Sequence, residues 1–233
     1  MEGRDHAPVG VLAALEAELA PLLERATARR LVQGLTVYEV ADGPLAIHLC
    51  VAGIGKVRAA RGAALLLANG QLRALLVVGV AGGLVRSLAP GALVHCTRAV
   101  QADLAVRAER EVEASADLRR LWRAVAPGPE GWFLTADRPV LSPWRRLRLA
   151  RAFAGPCVAD METAAAGAVA QLAGVPWAAL RAVSDRAGLA GGAEFRMNFP
   201  AQAGRAAATV PELVRRLAEG DGLGSGGNGP RPE

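Results

Sequence analysis

The chain has 233 residues, 52% of them apolar and 4% aromatic, with a net charge of +5. That is enough apolar material for one large α/β domain or two small ones, and the shortage of rings points to helices packed closely through small side chains. The arginines that supply the charge (Lys56 is the single lysine) are scattered among Asp and Glu without interleaved aromatics, which reads as a solvated surface and excludes a nucleic-acid face.

Cys50, Cys96 and Cys157 lie far apart in apolar runs, so buried free thiols are expected rather than a disulfide framework. The three histidines lack metal-ligand spacing, and neither a metal nor a cofactor is expected. Residues 1–8 carry no apolar signal core and are expected to be flexible. The apolar stretch 72–80 is too short to span a bilayer, so a cytoplasmic protein without membrane contact is expected.

In chain order, residues 9–14 read as a buried strand and 16–27 as a helix. The runs 35–40 and 45–51 flank Asp42-Gly43, a hairpin signal. Gly53-Ile54-Gly55-Lys56 opens a helix reaching about residue 69. Residues 74–80 are a continuous apolar strand ending in Ala81-Gly82-Gly83, and 92–99 form another. Segment 114–125 reads as helix, 132–135 as strand and 143–153 as helix. A short strand at 157–159 feeds a helix that starts near Met161 and ends before Gly174-Val175-Pro176. Residues 177–184 make a strand, 186–198 a Gly/Ala-rich loop and 200–217 the last helix. Strands alternating with helices imply a largely parallel sheet covered on both faces, and the hairpin makes it mixed. The predicted fold class is α/β, a three-layer α/β/α domain with a mixed central sheet over residues 9–218. The glycine-rich 219–233 cannot bury apolar area and is predicted to be a disordered tail.

In such sheets ligands gather at the carboxyl ends of the strands. Glu18 lies one turn beyond the first strand, and the glycine turns at 53–55 and 82–83 follow strands. Asp160-Met161-Glu162 follows another, and Ser184-Asp185 closes the last. Gly53-x-Gly55-Lys56 at a helix start either cradles an anion or is a tight strand-to-helix turn. Glu162 sits among Ala and Val, where a carboxylate is costly without partners. Arg181 interrupts the apolar run 178–183, and its plain structural account is an internal pair with either Asp185 or Glu162.

Five stretches carry a resemblance. Val9-Gly-Val-Leu-Ala-Ala-Leu-Glu-Ala-Glu18, Ala52-Gly-Ile-Gly-Lys-Val57, Val78-Gly-Val-Ala-Gly-Gly-Leu84, Ala159-Asp-Met-Glu162 and Leu180-Arg-Ala-Val-Ser-Asp185 resemble, in order and spacing, the signatures of bacterial 5′-methylthioadenosine/S-adenosylhomocysteine nucleosidases and their nucleoside phosphorylase relatives. The resemblance covers about residues 9–215. It implies loss of a purine from ribose through an oxocarbenium-like state, a place in methionine salvage, and a homodimer. Asp185 would be the general acid at N7, and Glu18 would orient or deprotonate the water with help from Arg181. Glu162 and the Met161 backbone would hold the ribose, the Val140 backbone would meet the purine edge, Gly82 would allow close approach, and Phe195 would be an aromatic lid. A carboxylate at position 18 also repels phosphate, by about 4 kcal/mol at ~4 Å and an effective dielectric near ~20, which favours hydrolysis over phosphorolysis. Arg58, Arg61 and Arg86 speak for phosphorolysis or for solvated faces.

The sequence departs from the family at two places. Val80 stands where a serine is usual, and Pro139 stands at the aromatic position that stacks on the base. These leave several substrates in view: a methylthioadenosine-like nucleoside, futalosine, or an adenosyl-hopanoid. They also leave room for a nucleoside-binding protein without turnover.

Overall fold

The structure, a computed structural model, describes residues 6–106, 110–153, 155–188 and 191–220. The expectations for residues 1–5 and for the tail from 221 onward lie outside these. The strands are β1 (Val9–Ala13), β2 (Ala28–Val32), β3 (Leu35–Val40), β4 (Ile47–Val51), β5 (Ala74–Gly83), β6 (Leu93–Gln101), β7 (Glu111–Glu113), β8 (Glu130–Thr135), β9 (Cys157–Asp160) and β10 (Trp177–Asp185). The helices are α1 (Glu16–Leu23), α2 (Lys56–Ala68), α3 (Ala116–Val125), α4 (Pro143–Ala152), α5 (Thr163–Leu172), α6 (Gly191–Gln202) and α7 (Val210–Ala218).

The strands make one mixed sheet, as expected. β4, β1, β5 and β10 run parallel in that order, and β3 and β2 extend the β4 edge antiparallel. On the other side β10 pairs antiparallel with β6, β6 parallel with β8, and β8 parallel with β9. β9 then returns to β5 through Gly82–Ala159 and Gly83–Val158, so β5, β10, β6, β8 and β9 close into a ring.

Alternation along the central strands separates two cores. Leu12, Leu75, Val77, Ala179 and Val183 face α2 and α5, whose Ala59, Ala63, Ala166 and Ala170 pack with small side chains. Val11, Leu76, Val78 and Leu180 face the other way, onto Leu19 of α1, Trp122 of α3 and Leu213 of α7. The uninterrupted apolar runs of β1 and β5 follow from this burial on both faces. Cys50, Cys96 and Cys157 are free and buried. Among the described residues no helix is long and apolar enough to cross a membrane.

The structure corrects several local expectations. Gly82 and Gly83, expected as a turn after the strand, are the paired end of β5. α1, expected to reach about residue 27, stops at Leu23, and residues 28–32, for which no element was expected, form an edge strand. β2 is mostly exposed and so lacks the alternation that marks a half-buried strand. Its hairpin to β3 turns through Gln33 (φ 47°) and Gly34 (φ 76°), the positive pair that a two-residue turn requires. The expected 186–198 loop contains the start of α6, whose Phe195 and Phe199 stack at 4.9 Å one turn apart. The last helical region is accordingly two helices, with α7 beginning only at Val210.

Candidate active site

The carboxyl ends of β1, β4, β5, β8, β9 and β10 converge on a cavity of about 330 Å³. Glu18, Gly82, Val140, Met161, Glu162, Asp185 and Phe195 all line it. Arg181 lies beneath, 1% exposed, on β10 opposite Gly79 of β5. That opposition needs glycine: Gly79 has φ +145°, and a Cβ there would overlap the Glu18 carboxylate and the Arg181 guanidinium.

Three carboxylates share this guanidinium. Nη2 of Arg181 donates to Glu162 Oε2 at 3.3 Å and to Thr163 Oγ1 at 3.2 Å, and it lies 3.3 Å from Asp160 Oδ2. Nη1 is 3.9 Å from Glu18 Oε1 and donates to the Val80 carbonyl at 3.4 Å. Burial works against the Arg181 charge, yet Asp160, Glu162 and Glu18 together hold its pKa above the usual guanidinium range. Burial raises the pKa of Glu18 and of Glu162, and Arg181 opposes both shifts.

Each carboxylate has its own anchors. Glu18 accepts from the backbone N–H groups of Ala14 (3.1 Å), Leu15 (3.0 Å) and Val80 (2.9 Å), a nest that would otherwise suit a free anion. Glu162 accepts from Gly55 N–H at 3.0 Å, across from the start of α2. Asp160 accepts from Thr135 Oγ1 at 2.5 Å and from both the N–H and the hydroxyl of Thr163. The Gly53-x-Gly55-Lys56 turn therefore does meet an anion, but the anions are side chains of this chain. Lys56 Nζ pairs with Asp103 at 2.6 Å and with Asp137 at 3.4 Å, and Asp137 N–H donates to Asp103 at 3.0 Å. This ties the loop after β8, which carries Arg138, Pro139 and Val140 along the cavity wall, to α2.

Asp185 belongs to a separate wall of the cavity. The ladder between β10 and β5 slips at Ser184, so that Asp185 pairs with Gly82 one step out of alternation. The bulge turns Asp185 away from the face that carries Arg181. Of the two internal pairs open to Arg181 from the sequence, the one with Glu162 forms and the one with Asp185 does not. Asp185 instead accepts from Ser184 Oγ at 2.8 Å and lies against Gly82 and Gly191. Burial raises its pKa, and the charge of Glu194 adds to the rise against the Ser184 and Ala187 hydrogen bonds. Asn198 of α6 donates to the Ser184 carbonyl at 2.9 Å, bracing this wall.

Thr135 and Thr163 were not singled out from the sequence, and Asp160 and Ser184 entered only as parts of the 160–162 and 184–185 motifs, without a role of their own. The Asp160-x-x-Thr163 spacing is the one signal available, since an Asp three residues ahead of a helical N–H is a capping pattern. Arg58, Arg61 and Arg86 are exposed, and none lines the cavity. Arg138 is the one Lys or Arg side chain on the cavity wall among the described residues.

Known proteins share this fold. Residues 8–219 match the model of the Phosphorylase superfamily. The chain is 30% identical to the 5′-methylthioadenosine/S-adenosylhomocysteine nucleosidase of Treponema pallidum (strain Nichols), over 91% of this chain and 92% of that one. It superimposes on the S-adenosylhomocysteine nucleosidase of Streptococcus pyogenes, solved with 5-methylthiotubericidin, with a TM-score of 0.85 and 25% identity over 92% of this chain and 98% of that chain. The futalosine hydrolase of Helicobacter pylori strain 26695 is similar as well, with a TM-score of 0.80 and 25% identity over 92% of this chain and 98% of that chain. The chain belongs to the Phosphorylase superfamily and has the fold of its nucleosidases.

Proposed function

We propose that this protein is a nucleosidase that hydrolyses the N-glycosidic bond of a 5′-modified adenine nucleoside of the methylthioadenosine/adenosylhomocysteine kind and releases the purine. The observation that carries the reading is the Glu18 carboxylate seated in the N–H nest of Ala14, Leu15 and Val80. A tethered anion already fills the place that could hold phosphate, and the attacking group next to it is water. Glu18 is the group that orients and deprotonates this water.

Glu162 and the Met161 backbone hold the ribose hydroxyls. The carboxylates gathered around Arg181 outnumber its charge, which favours a cationic sugar in a site shielded from water. Asp185 delivers the proton to the leaving purine, and its raised pKa keeps that proton available at higher pH than an ordinary Asp would. The Val140 backbone meets the purine edge, Gly82 allows the base close to Asp185, and Phe195 covers the sugar side. Ile54 and Val57, 49% and 82% exposed at the start of α2, fit a homodimer contact beside the cavity. A cytoplasmic role in methionine salvage completes the reading.

The test is incubation with methylthioadenosine, adenosylhomocysteine and futalosine, each with and without phosphate. Free base from either adenine nucleoside in phosphate-free buffer is expected. Release only with phosphate, or tight binding without release, would refute hydrolysis.

A further inference from the structure

Helix α4 differs from the other elements around the cavity in burying none of its residues. Trp144, Leu147, Arg148 and Arg151 follow the i, i+3, i+4, i+7 spacing and share one outer stripe. Trp144 is 81% exposed and Leu147 38%, and Leu141 just ahead of the helix continues the apolar strip at 52%. The chain from Asp137 to Asp160 contains no other acidic residue, but it holds Arg138, Arg145, Arg146, Arg148 and Arg151. Among the described residues Arg148 and Arg151 have neither an ion pair nor a hydrogen bond from the side chain.

We propose that the outer face of α4 docks on an anionic phospholipid surface. An exposed Trp and Leu set among arginines on a helix without acids suit the boundary between headgroups and acyl chains. The indole and leucine enter the apolar side while the guanidinium groups meet lipid phosphates. α4 packed against its own copy is a poor occupant, because the two-fold axis would set Arg148 and Arg151 against their own counterparts. Single-stranded RNA would satisfy the arginines but leave Leu141 and Leu147 without a partner. Leu141 borders the cavity, but the residues to be varied, Trp144, Arg148 and Arg151, and Leu147 between them do not line it, so the test is separate from the proposed chemistry.

The test uses the full chain with vesicles of phosphatidylcholine alone or mixed with an equal part of phosphatidylglycerol, read by co-sedimentation and tryptophan emission. Trp122 and Trp177 are 0% and 2% exposed and Trp132 is half-buried, so a blue shift on binding reports on Trp144. Binding to the mixed vesicles, weakened by salt and absent with phosphatidylcholine, is expected. Trp144→Ala should remove the blue shift. Arg148→Ala/Arg151→Ala should weaken partition roughly 25-fold, about five-fold for each arginine. Both variants should keep the wild-type melting temperature, because the positions are exposed. Equal binding to both vesicle types, no binding, or binding unchanged in the variants would overturn the proposal. So would variants that alter only the oligomeric state, or that lose only binding to poly(U).

Discussion

Replacing Arg181 by Met tests the charge balance of the site most directly. The guanidinium lies 3.3 Å from Asp160, 3.3 Å from Glu162 and 3.9 Å from Glu18, with side chains that are 0%, 6% and 3% exposed. At an effective dielectric near ~20 each attraction is about 4–5 kcal/mol. Repulsion among the carboxylates and the desolvation of the cation cancel most of that sum. Breaking a buried pair by removing one partner costs about 3–5 kcal/mol, and we expect Arg181→Met to lose that much stability. For a chain of this size the loss corresponds to a melting temperature lower by roughly 6–20 °C.

The pH dependence has a definite sign. Glu18 and Glu162 already titrate above their ordinary range because burial outweighs the guanidinium, and without it they rise further. A carboxyl whose folded pKa exceeds its unfolded one contributes stability below the unfolded value and loses it as pH rises through the folded value. The deficit of Arg181→Met should therefore be smaller near pH ~5 than near pH ~8. Denaturant unfolding followed by circular dichroism at both pH values measures it. A deficit below about 1 kcal/mol that does not change with pH would refute the shared-guanidinium account.

Asp185→Asn should lower kcat by about 10²–10⁴-fold while retaining nucleoside binding by calorimetry, and it should abolish the alkaline limb of the pH–rate profile. Because Glu194 helps raise the Asp185 pKa, Glu194→Gln should move that limb to lower pH. Gly79→Ala should cost about 1–3 kcal/mol by overpacking and also reduce activity, because the added methyl meets both Glu18 and Arg181. Lys56→Ala removes the pairs with Asp103 and Asp137 that tie the loop after β8 to α2, so KM should rise about five-fold with little change in kcat. The partly exposed pairs hold ~1 kcal/mol at most, so melting should hardly move.

Much of the fold was legible because burial on both faces leaves an unmistakable trace. β1 and β5 are continuous apolar runs, β10 is one broken only by Arg181 before its polar end, and the glycines that follow β4 mark where the chain turns over the sheet. The elements that escaped carry no such trace. β2 is an exposed edge strand, and α6 opens on two glycines, carries Pro200 and buries only Gly191, so no apolar helical stripe marks it.

The same division runs through the site. Glu18, Glu162 and Asp185 were visible as acids placed where strands end, and their order along the chain carried the family resemblance. Which of them Arg181 would meet was undetermined, because spacing along β10 allowed either Glu162 or Asp185. The bulge at Ser184 decided it by rotating Asp185 out of alternation, an event that depends on pairing with β5 and has no local sequence signature. Thr135 reached Asp160 only when β8 and β9 were brought side by side. Sequence alone thus determined which charged groups sit at the carboxyl edge of the sheet. The tertiary structure decided how those charges pair, since partners 19 to 163 residues apart meet only through the register of the ladders.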